Sequence, residues 1–181
     1  YMLTANLGYP IEDKERIRKP ELCGGALLDL GVYPINLAFM IFGNAPERIL
    51  SCCSKNELGV DLQNSMTFIY PGGEMAVMQT TARCANDRMG VVSGDKGYLV
   101  IDNINNPQTV TVYDASHQQT GVYTCPPQIT GYEYEVRAAI EAIRKGMIEP
   151  EDMPHAETLH IMELLDGLRR EWGVTYPADR L

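Results

Sequence analysis

Positive charge is in short supply in this chain, where 15 lysines and arginines stand against 24 aspartates and glutamates for a formal net charge of −9. No basic stripe is left to neutralise a phosphate backbone or to dock on an anionic membrane, which argues against nucleic acid and membrane as partners. Cysteine pairs at metal or redox spacing are also missing. The five cysteines (Cys23, Cys52, Cys53, Cys84, Cys125) are odd in number and contain no CxxC, so neither a disulfide framework nor a zinc knuckle is expected, and a reducing, cytoplasmic setting fits. Cys52 and Cys53 read as small apolar residues buried within a strand, with a vicinal redox pair as the other reading. The three histidines, His117, His155 and His160, are scattered, and the i, i+5 spacing of the last two is wrong for one helix face, so no metal is expected.

Three further motifs are lacking. No run approaches the roughly 20 apolar residues that span a bilayer, and the first segment has neither the basic start nor the apolar middle of a signal peptide. No GxSxG elbow is present. No GxGxxG follows a strand; Gly94, Asp95, Lys96 and Gly97 read as a hairpin turn with no helix behind them to hold a pyrophosphate.

What is there suffices for one sizeable core: 181 residues, 45% of them hydrophobic, read as a single domain over 1–181. The opening "YMLTANLGY" looks like a strand already under way, and the chain is expected to be cut from something longer. A polar, proline-bounded loop is predicted over 9–22, then a helix from Ala26 to Phe42 stopped by Gly43. Between Pro46 and Cys125 short β-type runs alternate with turn signals, which predicts an antiparallel meander. Met66, Phe68 and Tyr70, and likewise Met75, Val77 and Gln79, are expected on one face, with Ser65, Thr67 and Ile69 on the other. Helices return over about 131–145 and 155–172, the second with a core stripe of Leu159, Met162, Leu165, Leu168 and Trp172. The result is an α+β domain, an open, mainly antiparallel sheet with helices on one face, whose mixed second face suits a homo-oligomer contact.

One stretch does not behave as plain core. "PELCGGALLDLGVYPINLAFMIFG" (20–43) opens on Gly24 and Gly25, carries Asp29 among leucines and sets Tyr33 directly before Pro34. Asp29 and Tyr33 at i, i+4 share a helix face, and the glycines leave its N-terminal end open to a backbone or ligand. Pro34 lacks the N–H that would reach the Leu30 carbonyl, so a kink or loosening is expected beside the phenol, at a cost of about 3 kcal/mol in an ordinary helix. Two readings stand at this point: a chemical pair, or a carboxylate that caps or pairs with an arginine beside a half-buried aromatic. A phenol of reference pKa about 10 is a poor acid or base without a cation nearby, and a neighbouring aspartate works against the phenolate. Arg16 reads equally as a ligand contact or a surface ion pair. Asn36 reads as a hydroxyl-binding amide or as a cap for the kinked turn.

The run of Arg16, Pro20, Glu21 and Leu22 followed by GGALLDLGVYP resembles the opening of the C-terminal domain in the glucose–fructose oxidoreductase and inositol dehydrogenase (Gfo/Idh/MocA) family. Within it the similarity is greatest to the branch of dimeric dihydrodiol dehydrogenase and NADP-dependent xylose dehydrogenase; "GYEYEVRAAIEAIRKG" and "LDGLRREWGVTYP" extend it to the end. The resemblance implies a glyceraldehyde-3-phosphate dehydrogenase-like C-terminal domain, preceded in the family by a Rossmann domain that is absent from this chain. It implies hydride transfer between NAD(P), NADP slightly favoured, and a secondary alcohol or carbonyl of a sugar, polyol or cyclic diol. Tyr33 would be the acid/base, tuned by Asp29 and by a lysine of an absent Glu-Lys-Pro motif. Arg16 and Asn36 would contact substrate, and Gly24 and Gly25 would lie against the cofactor. Alone, the domain is expected to be inactive. A non-catalytic dimerisation or small-ligand-sensing module of the same fold is the alternative.

Overall fold

Alternating burial begins at once in β1 (Met2–Gly8), where Leu3, Ala5 and Leu7 point into the core. The computed structural model describes residues 1–180. The segment predicted as loop over 9–22 contains a single-turn helix, α1 (Glu15–Arg18), and a 3₁₀ turn at Pro20–Leu22. A π-helical segment, Leu27–Gly31, then runs into α2 (Val32–Phe42). Strands β2 (Arg48–Lys55), β3 (Asp61–Ile69), β4 (Met75–Thr81), β5 (Gly90–Gly94), β6 (Gly97–Ile101), β7 (Thr109–Asp114) and β8 (Gln119–Thr124) follow. Helices α3 (Tyr132–Arg144) and α4 (His155–Trp172) and a closing 3₁₀ turn at Pro177–Arg180 complete the order.

All eight strands form one sheet in the order β2-β3-β4-β1-β5-β6-β7-β8. The predicted meander is therefore two meanders with β1 inserted between them. β1 pairs parallel with β4 and antiparallel with β5, and the other neighbours are antiparallel. The parallel pair is possible because α2 and a hairpin intervene between the two strands.

The core lies on one face. Leu3, Ala5, Met66, Phe68, Ala76 and Met78 of the sheet pack against Ile35, Ala38 and Phe39 of α2 and Ile161, Leu165 and Leu168 of α4. Two details of the sequence reading are corrected here. Met75, Val77 and Gln79 stand opposite Ile69, Thr67 and Ser65, on the open face; β4 buries Ala76, Met78 and Thr80 instead. On α4 the buried stripe is Ile161, Leu165 and Leu168, with Leu159 63% and Met162 44% exposed, because Arg169, one turn on from Leu165, is buried and shares the inward face. Arg169 stacks over the Tyr176 ring at 4.4 Å and is bonded by Asp166 at 2.6 Å and by Asp179 at 3.0 Å, two carboxylates that offset the burial of its charge.

The stretch Pro20–Phe42 corrects the expectation about apolar runs: taken as one helical stretch, it is long and apolar enough to cross a membrane by length and composition. Its Leu27, Leu30, Ile35, Ala38 and Phe39 are buried against the sheet, as in a core helix. Cys52 is exposed on edge strand β2 and Cys53 only half-buried, so they are not the interior pair expected from a strand pattern; burial pushes the Cys53 thiol up. The Gly94 to Gly97 hairpin forms as predicted, joining β5 to β6.

The second face carries no helix. Across it Leu50, Thr67, Val77, Thr4, Val91, Val100, Thr111 and Val122 form one continuous cross-strand row.

Candidate active site

The helix that carries Asp29 and Tyr33 starts from a crowded anchor. Gly25 sits at φ +126°, and a Cβ there would lie 2.3 Å from Asp61 Oδ1; at Gly24 a Cβ would lie 2.4 Å from the Ile17 carbonyl oxygen. The niche expected at these glycines is thus filled from within the chain. Asp61, the first residue of β3, is fully buried, and its Oδ2 accepts from the Leu27 amide at 2.8 Å and from Asn64 Nδ2 at 3.1 Å. The free N–H groups of the first turn do attract an electron-rich group, and that group is a carboxylate of the neighbouring strand. Burial raises the Asp61 carboxyl above its usual range, opposed by the bonds from Asn64 and Leu27. From the other side Tyr176 donates its hydroxyl to the Gly24 carbonyl.

Beyond this anchor the loosening expected at Pro34 takes the form of the π-helical segment. Widening the turn at Leu27–Gly31 places Pro34 in the first turn of α2, where a missing N–H leaves no bond broken. Asn36 donates Nδ2 to the Val32 carbonyl at 2.7 Å, the capping arrangement among its two readings. Asp29 forms an ion pair with Arg16, whose loop the 3₁₀ turn folds back onto the π segment. Arg16 is half-exposed, so the pair contributes little stability and chiefly fixes direction.

Tyr33 is 38% exposed and lines a cleft of about 440 Å³ with Asn105, Pro107, Tyr132, Tyr134 and Glu135 among its walls. Its pKa is raised by partial burial first, then by Tyr132, Asp29, Glu135 and Tyr9. Every named neighbour disfavours the phenolate, so among the described residues no cation is placed to prepare Tyr33 as a base. The opposite wall is braced: Glu133 turns back to accept from the amides of Ile129, Thr130 and Gly131, and its bonds from backbone amides, Ile129's foremost, pull its carboxyl down to about 2. That brace sets Tyr132 and Tyr134 at the start of α3.

Asp29 is thus close enough to act on Tyr33 and is itself paired with Arg16, neither of the two lining the cleft, while Gly24, Gly25 and Asn36 serve the backbone around them. Sequence reasoning missed Asp61, Tyr9, Asn105 and Tyr132. A carboxylate opening a strand between Val60 and Leu62 is a visible signal for the first; the others depend on contacts between distant segments. Among the described residues no group of three or more His, Cys, Asp or Glu side chains lies together to hold a metal ion.

An open, mainly antiparallel sheet whose one covered face is led by a Gly-Gly…Asp…Tyr helix defines a family as well as a fold. The pattern described as the GFO/IDH/MocA C-terminal domain matches residues 1–100, and the chain belongs to that family. Trans-1,2-dihydrobenzene-1,2-diol dehydrogenase of Mus musculus is 30% identical over 187 residues, covering 97% of this chain and 54% of its own length. The NADP(+) scyllo-inositol 2-dehydrogenase of Bacillus subtilis is 27% identical over 162 residues, covering 90% of this chain and 48% of its own. The chain thus spans about half the length of the curated relatives it matches. Among solved structures, a 3-ketoreductase from Actinomadura kijaniata in complex with NADP superposes with TM-score 0.78 at 21% identity, covering 93% of this chain and 53% of that one. Aldose-aldose oxidoreductase from Caulobacter crescentus, complexed with glycerol, gives TM-score 0.76 at 20% identity over 93% and 52% of the two chains.

Proposed function

We propose that this chain is the substrate and oligomerisation half of an NAD(P)-dependent oxidoreductase acting on a secondary alcohol of a sugar, polyol or cyclic diol. The observation that carries the reading is the Tyr33 cleft: a phenol with no protein hydrogen-bond partner among the described residues, in a cleft of about 440 Å³ walled by aromatic rings and amides. Volumes of this order suit a small ligand, and neutral hydroxyl-rich molecules match a wall that mixes rings with amides.

The cleft fits the reacting end of such a reaction, and the Gly94 to Gly97 segment is a hairpin and not a phosphate-binding loop. The nicotinamide supplies the hydride acceptor when bound, NADP being slightly favoured, and its phosphates are held by a preceding Rossmann domain. Tyr33 takes the substrate hydroxyl proton. Asp29, held in direction by Arg16, orients the phenol or a second hydroxyl. A cation from the preceding domain lowers the Tyr33 pKa, which this chain alone raises. Gly25 supports the reaction by letting Asp61 reach the helix, and Gly24 by letting the Ile17 carbonyl pass close to it.

The test is nicotinamide reduction by the full-length protein against aldoses, polyols and cyclic diols. Turnover of any of them is expected; none at all, with cofactor bound, would shift the balance to a ligand-sensing module.

The open sheet face is proposed as the contact with a second copy. Its cross-strand row mixes aliphatic side chains with threonines, and Leu50 and Val122 at its ends are 51% and 49% exposed. Val77→Glu and Val91→Lys place charges in the middle of that row. Each is expected to shift the full-length protein toward monomer in light scattering at micromolar concentration, with little change in thermal midpoint. An unchanged oligomer in both variants would remove this face from the interface.

A further inference from the structure

Behind the Tyr33 cleft lies a polar chain that the proton transfer does not use. Arg88 Nη1 donates to the Tyr9 hydroxyl at 3.0 Å, and that hydroxyl donates to Asn105 Oδ1 at 3.1 Å. The Arg88 guanidinium also sits over the Tyr9 ring, 5.2 Å from its centroid. Arg88 adopts φ +56°, a left-handed conformation uncommon outside glycine, and has no carboxylate partner among the described residues. An arginine has only donors, so the Tyr9 oxygen accepts from it and has its single proton free for Asn105. Asn105 lines the cleft together with Tyr33, and among the described residues no protein group takes its Nδ2.

The loop around Asn105 is braced on both sides. Asp102 accepts from the Gln108 amide at 2.9 Å and the Thr109 amide at 3.1 Å, and Asn106 Nδ2 reaches the Thr130 carbonyl at 3.2 Å. A braced loop with one amide fixed at its oxygen presents a pre-oriented NH₂ donor. Glu135 in the same cleft opposes an anionic ligand.

Resting on the oxidoreductase reading above, we propose that Asn105 is a substrate-binding donor to one hydroxyl oxygen of an uncharged, hydroxyl-rich substrate, and that Arg88 and Tyr9 are the positioning residues that hold its amide. Arg88 polarises Tyr9, Tyr9 fixes the Asn105 oxygen, and the remaining N–H groups select for a hydroxyl at one position of the substrate. Loss of that hydroxyl leaves the amide unpaired, which gives the cleft its positional preference.

The test uses the full-length enzyme, its best substrate and the set of singly deoxygenated analogues of that substrate. Asn105→Asp keeps the acceptor for Tyr9 and loses the donor; Asn105→Ala loses both. Both are expected to raise KM for the parent substrate about tenfold with kcat little changed, the effect of one lost hydrogen bond. One analogue, and one only, should be handled equally by wild type and both variants. Tyr9→Phe should raise KM several-fold alone and add nothing to Asn105→Ala, since the two act in one chain. Equal losses across all analogues, or additive effects of Tyr9 and Asn105, would overturn the assignment. Wild-type turnover without the analogue pattern sinks only this inference, whereas absence of wild-type turnover on the whole panel sinks the oxidoreductase reading and this inference with it.

Discussion

Tyr33→Phe in the full-length protein is expected to lower kcat by about 10² to 10⁴ while cofactor affinity stays near wild type. The size follows from what is removed: the one hydroxyl assigned to take the substrate proton. His117, His155 and His160 do not line the cleft; Glu135 does, and a variant that keeps wild-type turnover would pass the role to it. The pH dependence has a definite sign. As a base in alcohol oxidation Tyr33 works deprotonated, so the rate rises with pH up to the phenol's pKa in the complex. Burial, Tyr132, Asp29, Glu135 and Tyr9 all push that pKa up in this chain. A full-length enzyme whose kcat levels off well below pH ~10 would then require a cation supplied by the preceding domain. Replacement of that cation should move the limb to higher pH, with Tyr33→Phe lacking the limb altogether. Wild-type turnover in the phenylalanine variant would make Tyr33 a packing residue and end the mechanism.

Local chemistry was legible in the sequence and nonlocal geometry was not. The helix stop at Gly43, the hairpin at Gly94 to Gly97 and the loosening before Pro34 are each dictated by a few neighbouring residues, and each is present. The insertion of β1 between two meanders is invisible to local pattern, because it depends on which strand edge is free once both hairpins have formed. The buried stripe of α4 and the register of β4 fail for a related reason: Met75, Val77 and Gln79 alternate as well as Ala76, Met78 and Thr80 do, and only the pairing with β3 decides between them. At the candidate site, Asp29 and Tyr33 were readable from i, i+4 spacing. Tyr9, Arg88 and Asn105 meet across sequence separations of 79 and 96 residues, which no periodicity records.

Asp61→Leu is expected to cost about 3 kcal/mol of stability, measured as a shift in urea midpoint at unchanged slope. Both donors that converge on Oδ2, the Leu27 amide and Asn64 Nδ2, are left buried without an acceptor. Asp61→Asn should cost far less, about 1 kcal/mol or under. Its amide oxygen can stand where Oδ2 stands, and its nitrogen replaces Oδ1, which has no hydrogen-bond partner among the described residues. The variant also removes a desolvated charge. Because burial raises the Asp61 pKa, that carboxyl's contribution is fully present below its unfolded value near 4 and is lost as pH rises through its folded value. Asp61→Asn does not titrate, so the difference between its stability and that of wild type, followed across this range, isolates the slope. Gly25→Ala attacks the same contact from the other side, with a Cβ 2.3 Å from Oδ1 on a backbone at φ +126°. Strain of about 1–3 kcal/mol from the dihedral alone adds to the clash. In an Asp61→Ala background the dihedral part and the milder 3.3 Å approach to Val60 Cγ1 remain, so the two substitutions should be less than additive by more than ~1 kcal/mol. Additivity would mean that Asp61 and Gly25 do not share a contact. Shared, they pin the first turn of the helix from which Asp29 and Tyr33 project.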